Sequence, residues 1–160
     1  MSENTRLMNE YCTLVNKIFA FIQEYFDGIV PAGRPDPEIY HKTKAIYEQL
    51  ENWGEDSEGK ECRKDAAQVL LEEYLVFAEA YFAKGNPWEN RENNRSICRN
   101  TVLNSVQMIA NLTVWLNELE QTSASKAVEE WLSLDNKWQV HSVHSGYELP
   151  RIRVSLLNFQ

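Results

Sequence analysis

The chain has 160 residues, enough for one domain that buries about 70% of the surface its unfolded form exposes, and too few for two ordinary domains. Sixteen Lys and Arg against 24 Asp and Glu leave a net charge of −8, which excludes a protein that coats DNA, RNA or an anionic membrane through its overall charge. Any RNA contact has to be local. With 43% hydrophobic and 11% aromatic residues the chain has the apolar material to fold, and no apolar run reaches the roughly 18 residues that cross a bilayer.

The polar start Met1-Ser2-Glu3-Asn4 lacks the pattern of a signal peptide, so the chain reads as cytoplasmic with no membrane partner. From Arg6 to Phe26, apolar residues recur at three- and four-residue steps and predict one amphipathic helix ended by Asp27-Gly28. Pro31, Gly33, Pro35 and Pro37 form an extended link, with Asp36 as N-cap and Pro37 at the first position of a second helix that runs to about Asn52. A third helix is expected from about Glu58 to Ala83, with Val69 among its apolar positions, and it stops at Gly85-Asn86-Pro87. After Trp88 a charged stretch leads into a fourth, near Asn94 to Asn117 and including Ile97, and a fifth spans about Ser123 to Leu134. The expected architecture is therefore all-α: one bundle of about five helices over residues 1–160, with the segment 137–160 as a tail packed on it, ending in a short helix.

Most chemistry-bearing patterns are missing. A di-iron bundle needs paired Glu-x-x-His motifs on facing helices, and no such pair exists. His141 and His144 lack a third ligand and read as exposed tail histidines; Cys12, Cys62 and Cys98 have no metal or redox spacing and read as reduced packing residues. There is no phosphate loop and no nucleophile elbow. No catalytic residue, metal or cofactor is expected. Trp53, Trp115, Trp131 and Trp138 read as core or interface anchors.

Two features stand out. Pro87-Trp88 puts an indole on a helix-breaking corner, where a base can stack on it. Arg91, Arg95 and Arg99 follow at four-residue steps and, on a continuous helix, form one basic stripe in an acidic chain. An aromatic plane beside a few phosphate-reaching arginines suits a single-stranded RNA loop. On the other reading, Trp88 plugs the bundle end and the arginines pair with Glu89, Glu92 and neighbouring acids.

The order of these pieces resembles the anticodon-binding domain of methionyl-tRNA synthetases, a helical bundle shared by related class I aminoacyl-tRNA synthetases. The likeness lies in Thr13-Leu14-Val15-Asn16-Lys17, in Tyr25-Phe26-Asp27-Gly28, in Pro87-Trp88, in Ile109-Ala110-Asn111-Leu112, in Lys126 to Leu134, and in the closing Gly146-Tyr147-Glu148-Leu149-Pro150. It implies an anticodon stem-loop, of methionine tRNA in the first instance, as partner. Trp88, preceded by Pro87, takes the place of the family's base-stacking tryptophan, and Thr13 and Lys17 take the places of its asparagine and arginine four residues apart on the first helix. Lysine keeps the charge without the planar fork, and threonine's single hydroxyl does not replace an amide. Glu79 stands where the family commonly has asparagine, and two prolines usual between the last helices are Glu118 and Gln121 here.

The catalytic signatures His-Ile-Gly-His and Lys-Met-Ser-Lys-Ser are absent, so the chain alone does not activate an amino acid by that route. The resemblance implies either the carboxyl-terminal domain of a longer ligase or a free-standing relative of it. The alternative is a non-catalytic protein-interaction or regulatory module that kept the fold and lost anticodon reading, docking on a synthetase catalytic domain in cis or in trans.

Overall fold

The structure, a computed structural model, describes residues 3–55, 60–135 and 137–150, and their side chains except those of 3–5, 52–55 and 60–64. The described residues form six helices in chain order: α1 (Glu3–Tyr25), α2 (Pro37–Glu55), α3 (Lys60–Gly85), α4 (Pro87–Asn93), α5 (Arg95–Glu120) and α6 (Ser123–Trp131). No strand occurs among them, only an isolated antiparallel bridge between Ile29 and Glu148. The all-α reading holds, with one helix more than the periodicity showed. Where one continuous helix was expected to begin near Asn94, the short α4 precedes it and the backbone breaks at Asn94 (φ −153°, ψ 89°). The expected terminal helix and the side chains of Cys62 and Trp53 lie outside what the structure describes.

The centre of the bundle is α5, buried over most of its length from Cys98 to Leu116. Around it pack Leu14, Ile18 and Ile22 of α1, Tyr47 of α2, and Leu71, Tyr74, Leu75 and Phe82 of α3. Trp115, fully buried, sits edge-on between Tyr47 at 5.1 Å and Tyr74 at 4.8 Å. Two positions expected on core faces are solvent-exposed instead, Val69 and Ile97, and Tyr40 is exposed as well. Tyr40 lies at the margin of its helix's apolar arc, Val69 stands on the outward face of α3 with the exposed Glu73 and Val76, and Ile97 sits in the first turn of α5, before the helix enters the core.

Local signals explain the helix ends. At the start of α2, Asp36 Oδ1 accepts from the Glu38 amide at 2.9 Å and Pro37 occupies the first turn, as the Asp-Pro pair predicts. Asp27 (φ +54°) and Gly28 (φ +78°) turn the chain left-handed after α1. Thr122 and Ser125 form a reciprocal capping box at α6. The segment after α6 crosses back over α5 and the link that follows α1: Val143 and Leu149 are buried, Gly146 donates to the Val30 carbonyl at 2.7 Å, and the Val30 amide donates to the Tyr147 carbonyl at 2.9 Å. His141 is buried, not exposed as expected. Its amide donates to Asn111 Oδ1 at 2.8 Å, and its ring lies 2.9 Å from the Lys137 carbonyl oxygen.

Candidate nucleic-acid interface

Four residues of α1 at successive four-residue steps, Thr13, Lys17, Phe21 and Tyr25, make one ridge of the helix. At its amino-terminal half the ridge is open to solvent, with Thr13 and Lys17 both exposed. The Thr13 hydroxyl donates back to the Asn9 carbonyl at 2.9 Å, which leaves its oxygen lone pairs outward. At the other half, α4 covers the ridge. Trp88 packs edge-on against Phe21 with centroids 5.2 Å apart and against Phe82 of α3 at 5.4 Å. One turn on, Arg91 lays its guanidinium 4.2 Å from the centre of the Tyr25 ring.

Asn86, left-handed at φ +38°, turns the chain out of α3 so that the buried Pro87 can start α4. Its side chain donates to Glu89 at 2.7 Å, and Asn90 donates back to the Gly85 carbonyl at 2.6 Å. These bonds fix the corner that carries Trp88. The indole ends up 44% exposed: anchored by two rings, yet open enough to meet a planar ligand. It is neither a free platform nor a full plug.

The three arginines do not make one stripe. Arg91 belongs to α4, where it also contacts Glu92 at 3.7 Å, while Arg95 and Arg99 lie on the first turns of α5 beyond the break at Asn94. Arg95 and Arg99 are exposed and make no ion pair among the described residues. Arg91 and Arg99 both act on the Cys98 thiol, lowering its pKa against a larger rise from burial. Cys98 and Cys12 are buried free cysteines, and burial pushes the Cys12 thiol up to about 11, so it is unreactive near neutrality.

Sequence reasoning missed two participants. Tyr25 holds Arg91, and Phe21 supports Trp88; the sequence reading gives neither a role at the site, Tyr25 counting only as an apolar position and part of the family likeness, although their register with Lys17 is visible in the sequence. Glu79 faces α1 from α3: burial raises its carboxyl above the usual range, Glu10 raises it further, and the Lys17 ammonium pulls it back. No group of three His, Cys, Asp or Glu residues able to hold a metal exists among the described residues. Glu38 and His41 have Glu-x-x-His spacing, but both are exposed and stand alone. No helix of the described residues is long and apolar enough to cross a membrane.

A methionine–tRNA ligase of Bacillus cereus (strain G9842) is 32% identical over 142 residues, covering 86% of this chain. Methionine–tRNA ligase 1 of Alkaliphilus oremlandii is 29% identical over 152 residues, covering 92%. The chain is a relative of the methionyl-tRNA synthetases. It spans only about a quarter of the length of these relatives, 26% and 24%, which is consistent with their carboxyl-terminal domain. Two structures of Mycobacterium tuberculosis methionyl-tRNA synthetase share the fold: the free state (TM-score 0.72, 16% identity, 94% of this chain and 32% of that one) and the methionyl-adenylate complex (TM-score 0.75, 14% identity, 91% and 30%). No family model matches the chain.

Proposed function

We propose that this synthetase-like bundle binds the anticodon stem-loop of a tRNA in the cytoplasm. A loop base stacks on Trp88, and Thr13 and Lys17 contact a base edge or phosphate. The exposed Arg95 and Arg99 hold backbone nearby. The observation that carries this is the Trp88 corner, an indole held on edge by Phe21 and Phe82 yet 44% exposed, on the same α1 ridge as Lys17 and Thr13. Stacking on such a ring contributes about 1–3 kcal/mol per base, which suits a chain with too few positive charges to hold RNA by counterion release alone. The work is binding, and in a longer ligase that binding energy would position the acceptor end in a separate catalytic domain.

Fluorescence anisotropy tests this with labelled anticodon stem-loops, starting with the methionine anticodon CAU, against a blunt duplex of the same stem at two salt concentrations. The stem-loop is expected to bind more tightly than the duplex, and Trp88→Ala to remove the difference. Equal binding of loop and duplex, or none at low salt, contradicts the proposal. A second reading, a protein-docking bundle without RNA, draws on Arg91 being turned onto Tyr25 and Glu92 and on Glu79 standing beside Lys17. It predicts no binding to either RNA.

A further inference from the structure

We infer that Arg34, in the proline-rich link between α1 and α2, joins Arg95 and Arg99 of α5 in a rim that binds successive phosphates of one RNA strand, whatever its sequence; this rests on the RNA-binding reading above. The link crosses α5 at Arg99 and Asn100. A Cβ on Gly33 would stand 2.8 Å from Asn100 Oδ1 and 3.2 Å from the Arg99 carbonyl oxygen, so glycine lets the two backbones meet there. The next residue is fixed from both sides: the Arg34 amide donates to Asn100 Oδ1 at 2.7 Å, and its carbonyl accepts from Asn104 Nδ2 at 3.0 Å. Arg99 is thus at the crossing, Arg95 one turn before it on α5, and Arg34 one residue along the link.

All three side chains are exposed, and none is part of an ion pair among the described residues. The acids nearest them in the chain are already engaged. Asp36 caps the Glu38 amide, Glu89 accepts from Asn86, and Glu92 contacts Arg91. Arg91 and Arg99 both act on the buried Cys98 thiol, which sets the rim beside α4, the helix that carries Trp88. A strand whose base stacks on that indole therefore meets guanidinium groups as it continues past α4. Guanidinium matches two phosphate oxygens at once, and Arg34 stands on a backbone that does not have to be ordered on binding. In a chain of net charge −8, such a rim tells the RNA which end of the bundle to approach.

The test measures dissociation constants of anticodon stem-loops for the whole chain over a series of salt concentrations. Arg34→Gln is expected to weaken binding about fivefold at low salt, equally for the CAU loop and for a scrambled loop. The slope of log affinity against log salt should become shallower by about 0.7–0.9, the contribution of one phosphate contact. Trp88→Ala should leave that slope unchanged, and so should Lys126→Gln on α6, which follows the far end of α5. Replacing the backbone phosphates one at a time by uncharged methylphosphonates should weaken the wild-type complex at two or three neighbouring positions, and at one fewer in Arg34→Gln. Thermal unfolding checks that each variant is folded. An unchanged slope in Arg34→Gln, an equal change in Lys126→Gln, or the same set of sensitive phosphates with and without Arg34 overturns the inference and leaves the RNA-binding reading intact. Failure of every stem-loop to bind at low salt overturns both, and leaves an acidic protein surface as the ligand class that suits the rim.

Discussion

Trp88 is split between two jobs, and its energetics should show both. Its edge contacts with Phe21 and Phe82 are of the kind that adds about 0.5–1.5 kcal/mol beyond buried area, while 44% of the residue remains in water. Trp88→Ala is therefore expected to cost about 2 kcal/mol, short of the 3–5 kcal/mol typical of a fully buried aromatic. For a chain of this size that is a fall of about 4–8 °C in Tm by circular dichroism. A loss near 5 kcal/mol would mean the indole is a core plug and would remove the base-stacking role. The Pro87-Trp88 corner was legible because proline and a left-handed asparagine interrupt a long apolar period there. The partner of Arg91 was not legible, because nothing in a spacing of arginines tells that one of them folds back over Tyr25.

The helices α1, α2, α3, α5 and α6 were readable because each is long enough, or well enough capped, for its apolar residues to repeat. The helix α4 was not: seven residues with Trp88 as the one large apolar side chain carry no period, and Pro87 reads as the stop of α3 as easily as the first turn of another helix. Asn94 is the residue that separates α4 from α5. Its amide donates to the Asn90 carbonyl at 2.9 Å, closing α4, and its side chain accepts from the Ile97 amide at 3.2 Å, opening α5. Replacing it with alanine removes the cap and is expected to cost about 1 kcal/mol. Because α4 carries Trp88 and Arg91, hydrogen exchange at residues 87–97 should rise more than in the body of α5. Exchange raised equally along α5, or nowhere, would show that the break does not depend on this cap.

At the scale of the whole molecule, the polar residues of α5 tie the irregular segments to the bundle. Asn100, Asn104, Gln107 and Asn111 follow the helical repeat along one face. Asn100 accepts from the Arg34 amide at 2.7 Å, and Asn104 accepts from the Asp36 amide at 2.9 Å and donates to the Arg34 carbonyl at 3.0 Å, which pins the proline-rich link. Gln107 bonds Val143 in both directions, at 2.6 and 2.8 Å, and Asn111 does the same for His141 at 2.8 and 3.1 Å, which pins the segment after α6. In the sequence this row passes for a solvated face, because a buried amide and an exposed one are the same letter. Asn111 also accepts from the Tyr47 hydroxyl at 2.8 Å, so Asn111→Ala orphans the His141 amide and carbonyl and that hydroxyl together. Buried polar groups left without partners cost about 1–3 kcal/mol each when water does not reach them; Asn111, Tyr47 and His141 are buried, but the flanking Gln139 and Ser142 are exposed, so the segment can lift and admit water for partial rescue. The expected total is about 2–4 kcal/mol in urea unfolding, with residues 137–147 becoming the first segment cut by limited proteolysis while α1 to α5 stay protected. If that segment keeps its protection in the variant, the buried side chains of Val143 and Leu149 hold it to the bundle and the amide row is incidental.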